Sequence, residues 1–205
     1  MTSRTAVDPA PPVSTRRPSA ARERILATAG QLFYATGIRA VGVDRVIAES
    51  QVARMTFFRH FPTKDQLVVA FLESQAAAGR AELLDRWDRE GPRGVLAAVV
   101  EGARTVPGTD GFRGCEFINT AAEFCDPDHP VRRVVDQHRA WIRDQLAAAL
   151  TELGHPTPHP TAEVLLMLRT GAIVASSLEG LDDTATLDRV FWGLVDQPID
   201  PSSAS

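Results

Sequence analysis

The chain has 205 residues, 44% hydrophobic and 23% charged, an ordinary globular mixture with enough apolar surface for a core and enough length for two unequal units. It has no run of about 18 apolar residues and no apolar N-terminal signal region, so neither membrane span nor secretion is expected and the chain reads as cytoplasmic. The net charge of −4 divides into +6 over residues 1–64 and −10 over residues 65–205, which suits a protein that offers only one end to phosphates.

Residues 1–19 hold four prolines among Ser, Thr and Arg and lack the apolar content to pack, so a disordered basic arm is expected. Arg16 and Arg17 suit either a solvated tail or a phosphate-contacting arm. Over 20–36 the apolar positions Ile25, Leu26, Ala29, Leu32 and Phe33 recur at three- and four-residue spacing, with Ser19 as cap and Gly37 as stop. Short helices are predicted over 43–50 and 54–61, joined by the turn Gln51-Val52-Ala53, the second ending before Pro62. Thr63 and Gln66 have the form of a capping box opening a longer helix that runs to about 87. Beyond Gly91-Pro92, helices are predicted over 93–106, 113–125, 130–153, 161–179 and 184–196. Gly and Pro clusters separate them, no strand-like alternation intervenes, and a frayed tail occupies 198–205.

Two short helices on a three-residue turn, backed by a third, can project one helix into a groove about as wide as itself. Val46, Val52, Phe57 and Phe61 are spaced to meet between the short helices, leaving Arg54, Met55, Thr56, Arg59 and His60 on other faces. Arg can pair with guanine, and Thr and His suit bases or phosphates; Lys64, opening the next helix, adds a cation where a helix N-terminus already favours an anion. A solvated helical face would carry the same residues.

The stretch from Ala21 to Leu67, containing ILATAGQLFYATGIRAVGVDRVIAES and QVARMTFFRHFPTKDQL, resembles the N-terminal domain of the TetR family of bacterial regulators. The resemblance implies an all-α protein: a three-helix helix-turn-helix DNA-binding domain over 20–66, then a helical effector-binding and dimerisation domain over 67–197. It further implies that Arg54, Thr56, Phe57, Arg59 and His60 face DNA, that Phe58 lies against the backbone and that Lys64 contacts a phosphate. Gly42 stands where a phosphate-touching hydroxyl cap is frequent, Gln51 replaces the common turn glycine, Ala53 a Ser or Thr cap and Phe58 a Tyr. The partners implied are a palindromic double-stranded DNA operator, a second copy of the chain and a small-molecule effector, with repression as the family's usual mode.

In that family the last two long helices of each subunit build a four-helix dimer interface, which here designates Leu168, Ala172, Ala175, Val190, Phe191 and Leu194. The segment 111–130 resembles a pocket-lining helix of one branch of the family, designating Phe112, Cys115, Ile118, Asn119 and Glu123, with Trp141, as effector contacts. Its composition suits a cavity with isolated polar groups and equally suits a core helix with a surface Asn and Glu.

Cys115, near a helix start and beside Arg113, is expected to have a lowered pKa, which leaves an oxidant or electrophile sensor as an alternative. Ten helical residues separate it from Cys125, about 15 Å, so one continuous helix excludes a disulfide between them. His129, His138, His155 and His159 fall at no recognised metal spacing, and no cofactor or metal is expected. The rival class is an enzyme built on Cys115 with His129 or His138 and with Glu123, against which the chain carries no nucleophile elbow, phosphate loop or dinucleotide fingerprint.

Overall fold

A computed structural model describes residues 19–104, 113–179 and 184–196. These form eight helices and no strand: α1 Ala20–Thr36, α2 Val43–Ser50, α3 Arg54–His60, α4 Lys64–Glu101, α5 Glu116–Glu123, α6 Pro130–Glu152, α7 Pro158–Glu179 and α8 Thr184–Val195. The arm at 1–18, residue Phe112 and the tail from 197 lie outside the described residues.

Local chemistry explains most boundaries. Ser19 Oγ accepts the Arg22 N–H at 3.2 Å to open α1, and Gly37, at φ 90°, returns its own N–H to Phe33 O to close it. α2 stops on Gln51, the one non-glycine among the described residues at positive φ (53°). Phe61 caps α3 at φ −136°, so that helix ends one residue earlier than predicted. Thr63 opens α4 by accepting the Gln66 N–H.

The break expected at Gly91-Pro92 is a kink within α4. Gly91 leaves helical geometry (φ 68°, ψ −161°), and Pro92 enters the next segment where its missing N–H has no helical partner to lose. The same tolerance lets α7 begin at Pro158, three residues before the predicted start, since both Pro158 and Pro160 fall in its first turn. α5 is shorter than the predicted 113–125, because residues before Glu116 run extended to reach α1.

Two apolar clusters organise the molecule. The first joins α1, α2, α3 and the first half of α4, with Ile25, Phe33, Val46, Phe57, Phe61 and Leu67 among its members, and extends to Phe117, Val131 and Val135 of α5 and α6. The second unites the end of α4 with α6, α7 and α8 around Leu96, Leu146, Leu150, Leu165 and Phe191. Cys115 packs against both. α4 runs unbroken across the boundary drawn at 66/67, and its residues through Ala76 belong to the N-terminal core.

α7 is long and apolar enough, by length and composition, to cross a membrane, although the sequence shows no uninterrupted apolar run because Glu163 and Arg169 divide it. One face packs on α6 and α8. The other leaves Val164, Met167 and Leu178 at 40%, 61% and 76% exposure, with Val190 of α8 also outside.

Candidate functional site

α3 stands on an apolar underside. Phe57 is wholly buried and Phe61 nearly so, their rings 6.1 Å apart, and Val46 of α2 is buried in the same cluster. Met55 is 82% exposed, and Arg54, Phe58 and Arg59 also face outward. Thr56 and His60 are half-buried at the helix edges. The expectation that Phe57 faces DNA is therefore corrected: the helical period that turns Arg54 and Phe58 outward turns Phe57 into the core.

Several outward residues already have partners. Arg54 pairs with Asp44 of α2 at 2.6 Å and lies 5.4 Å from the Phe58 ring centroid, which holds its guanidinium over the start of α3. His60 Nε2 meets Ser19 Oγ at 3.0 Å, tying the end of α3 to the start of α1. Lys64 Nζ donates to Arg39 O at 3.4 Å; burial lowers its pKa, while Glu123 and Asp65 oppose that shift. Gly42 is exposed and caps α2 without any side chain.

The second feature is a cavity of about 590 Å³ between α1, α4, α5, α6 and α7. Leu83, Val99, Ile142 and Ile173 supply apolar walls, and Tyr34, Phe117 and Trp141 aromatic ones. Cys115, His138 and Arg169 also line it. His138 stacks on Phe117 with centroids 3.8 Å apart, and burial, reinforced by Arg169, Arg80 and Arg139, lowers its pKa to about 4. The imidazole is therefore neutral near pH 7.

Cys115 departs from expectation. Burial, reinforced by the Glu116 carboxylate, raises its pKa; backbone N–H groups at the start of α5 and the Arg169 guanidinium only partly offset this. Arg113, expected to activate it, instead donates to Ala35 O at 2.6 Å.

Of the expected effector contacts, the structure brings Cys115 and Trp141 to the cavity. Ile118 packs into the second core. Asn119 donates to Arg113 O at 2.7 Å, bracing the approach to α5. Glu123 is turned toward the N-terminal helices, its two oxygens accepting the N–H groups of Ile38 and Arg39 at 2.9 and 2.6 Å. Its role in contacting an effector is thus corrected to a bridge between α5 and the α1–α2 turn. Gly37 permits that approach, for a Cβ there would lie 3.2 Å from Glu123 Oε1. Tyr34, Arg169 and His138, absent from the expected contacts, complete the cavity; Arg169, a cation within an apolar helix, was the readable signal for one of them.

On the outer surface, Leu168, Ala172, Ala175 and Leu194 are half-buried and Val190 exposed, but Phe191 is completely buried inside the monomer. Its expected interface role is corrected, since α8 turns it into the second apolar cluster. Val164, Met167 and Leu178 extend the exposed apolar stripe instead, and their spacing of three and then eleven residues follows the helical period.

His155 and His129 serve local structure. His155 Nδ1 accepts the Thr157 N–H, so its Nε2 donates to Leu194 O at 2.9 Å, and His129 Nδ1 accepts the Val131 N–H to cap α6. Among the described residues no group of three His, Cys, Asp or Glu gathers for a metal.

A family model described as bacterial regulatory proteins, tetR family, matches residues 25–71. SCO4454, a TetR-family transcriptional regulator of Streptomyces coelicolor, superposes with a TM-score of 0.73 at 38% identity, covering 85% of this chain and 92% of that one. A protein described as a TetR transcriptional regulator of Streptomyces avermitilis gives 0.76 at 26% identity, covering 87% and 97%. The HTH-type transcriptional repressor NemR of Escherichia coli is 27% identical over 163 residues, 74% of this chain and 81% of its own length.

Proposed function

The chain belongs to the TetR family of DNA-binding transcriptional regulators, and from that premise we propose that it is a repressor: a homodimer that grips a palindromic operator and lets go when a small molecule fills the cavity. The observation that carries the DNA-binding part is the mounting of α3, whose Phe57 and Phe61 are sunk in the core while Met55, Phe58 and Arg59 stand clear. The N-terminal segment adds its net +6, against −10 elsewhere. Arg54 and Arg59 would read base edges, Thr56 and the Gly42 N–H would meet the phosphate backbone, and Lys64 would hold a phosphate from the start of α4. His60 would contribute at the helix edge by exchanging or sharing its Ser19 partner.

The exposed stripe of Val164, Met167, Leu178 and Val190 supports dimerisation through α7 and α8. That contact would account for the apolar surface of α7 without a membrane, and a two-fold dimer doubles the contacts of one short reading helix. Repression is supported by similarity to NemR, which is an HTH-type transcriptional repressor.

Release would pass through α5. Cys115 and Phe117 at its start touch the cavity, whereas Glu123 at its end holds the turn before α2. A ligand that displaces the start of this two-turn helix would shift the turn, and with it the separation of the two reading helices. An electrophile-responsive mode would use the Cys115 thiol, but burial that keeps it protonated works against this mode. The enzyme reading lapses with the family, whose members are transcription factors.

The test is to recover genomic or random DNA fragments retained by the purified protein and measure affinity for the enriched sequence across a salt series. A palindromic consensus is expected, with affinity falling steeply as counterions are displaced at higher salt. In the same assay Arg59→Ala should flatten the preference for the consensus, while Lys64→Ala should weaken all sequences alike and lessen the salt slope by about one. Absence of any enriched sequence, or affinity indifferent to salt, would overturn the reading.

A further inference from the structure

The cavity contains an electrostatic imbalance that points to the charge of its ligand. Arg169 is a largely buried guanidinium with no carboxylate within ion-pair distance among the described residues. It takes the Cys115 sulfur as a side-chain partner, and its Nη2 lies 3.9 Å from where a Gly102 Cβ would stand, at the C-terminal end of α4. The negative end of that helix and the unpaired Glu116 explain how the charge is tolerated, but neither is a partner that matches a guanidinium.

Two further polar atoms are buried without partners: Nδ1 of His138, which lines the cavity, and Nε of Arg80, outside the lining, whose guanidinium lies 5.5 Å from the ring centroid of the lining Trp141. The acids at the cavity margin are differently placed. Glu82 is exposed, and Glu101 is paired with Arg86, which also holds Glu90. Of the acids lining the cavity, Glu101 is thus paired, Glu82 faces solvent and Glu116 acts on Arg169 without forming an ion pair, so the guanidinium keeps donors with no matched acceptor. Buried charges in proteins are ordinarily matched by a counter-charge, and a two-oxygen anion suits a guanidinium best.

The rest of the lining includes Tyr34, Phe117 and Trp141 with aliphatic neighbours, and about 590 Å³ is ample for a bicyclic organic molecule. We propose that the cavity takes an organic monoanion, an aromatic or alicyclic carboxylate, whose carboxylate pairs with Arg169 while its ring system lies among Tyr34, Phe117 and Trp141. This rests on the cavity being the effector site. The neutral His138 ring leaves the carboxylate free to sit beside it, and in the tautomer that carries its proton on Nδ1 the ring supplies a second hydrogen bond.

The experiment compares three probes of one shape, 1-naphthoate, 1-naphthamide and 1-(aminomethyl)naphthalene, by calorimetry and by tryptophan fluorescence at pH 7.5, on the intact protein and on Arg169→Gln. Naphthoate is expected to bind at least tenfold more tightly than the amide, with the amine weakest. Arg169→Gln should weaken naphthoate at least tenfold and leave the amide within about twofold, whereas Arg169→Lys should retain the preference for the anion. An amide or amine that equals naphthoate on the unmodified protein overturns the proposal, as does a carboxylate preference that survives in Arg169→Gln. The comparison on unmodified protein decides the matter even where Arg169→Gln fails to fold. Failure of the effector reading would look different: no probe of any charge binding at millimolar concentration, or naphthoate binding with no change in affinity for the enriched DNA.

Discussion

At the level of single residues, the chain departs from easy chemistry in two places. Gln51 holds the turn between α2 and α3 in the left-handed region, φ 53° and ψ 43°, where a side chain costs about 1–2 kcal/mol. Glycine would relieve that cost but adds freedom to the unfolded chain. Gln51→Gly should therefore raise stability by about 0.5 kcal/mol in urea unfolding; a lower midpoint would mean that the Gln51 side chain stabilises the turn. Cys115 is the second place. Its thiol is pushed upward by burial, so at pH 7–8 its thiolate fraction falls below that of an ordinary cysteine. Iodoacetamide should label exposed Cys125 first and Cys115 at least tenfold more slowly, as peptide mapping would read; equal labelling would revive the thiol-sensing alternative. The sequence could locate Cys115 near a helix start but not its burial, and Arg113, two residues before it, donates to Ala35 O instead.

Among the elements, α5 has the largest consequence for its length. Eight residues reach from the cavity at Phe117 to the N-terminal helices at Glu123, and the approach to α5 is fastened to α1 by Tyr34, whose hydroxyl donates to Gly114 O at 3.2 Å. Removing the Glu123 carboxylate strands two backbone N–H groups, so Glu123→Ala should cost about 2 kcal/mol in urea unfolding. The same variant should show a smaller response of DNA affinity to cavity occupancy, because the end of α5 no longer grips the turn. Unchanged stability would mean that water serves those N–H groups equally well. Helix periodicity and capping residues made α1 to α4 readable in advance, since Ser19 and Thr63 act within three residues of themselves. The direction of Glu123 was not readable, because its partners lie 84 and 85 residues away.

For the molecule as a whole, the unresolved demand is the apolar stripe on α7 and α8. Met167, at 61% exposure, makes little contribution to the monomer core, so Met167→Glu should leave the fold intact. If this stripe is the dimer contact, a buried unpaired charge there should weaken association by about 3 kcal/mol and yield monomers in sedimentation at micromolar concentration. Affinity for a palindromic site should fall with it. A variant that remains dimeric would move the interface elsewhere. The family resemblance designated these two helices, yet it also designated Phe191 as a contact, since a face toward a partner and a face toward a neighbouring helix are equally apolar until the packing is known.

What the residues alone determined was governed by short range: the helical class, the caps that open α1 and α4, the apolar underside of α3 and the charge division between the two ends. Tertiary structure decided which side chains meet across the chain. Burial raised the Cys115 pKa, neutralised His138 and left Arg169 without a carboxylate, and it sent Glu123 to the α1–α2 turn. Those outcomes depend on desolvation and on partners from distant helices, and neither is written in the spacing of neighbouring residues.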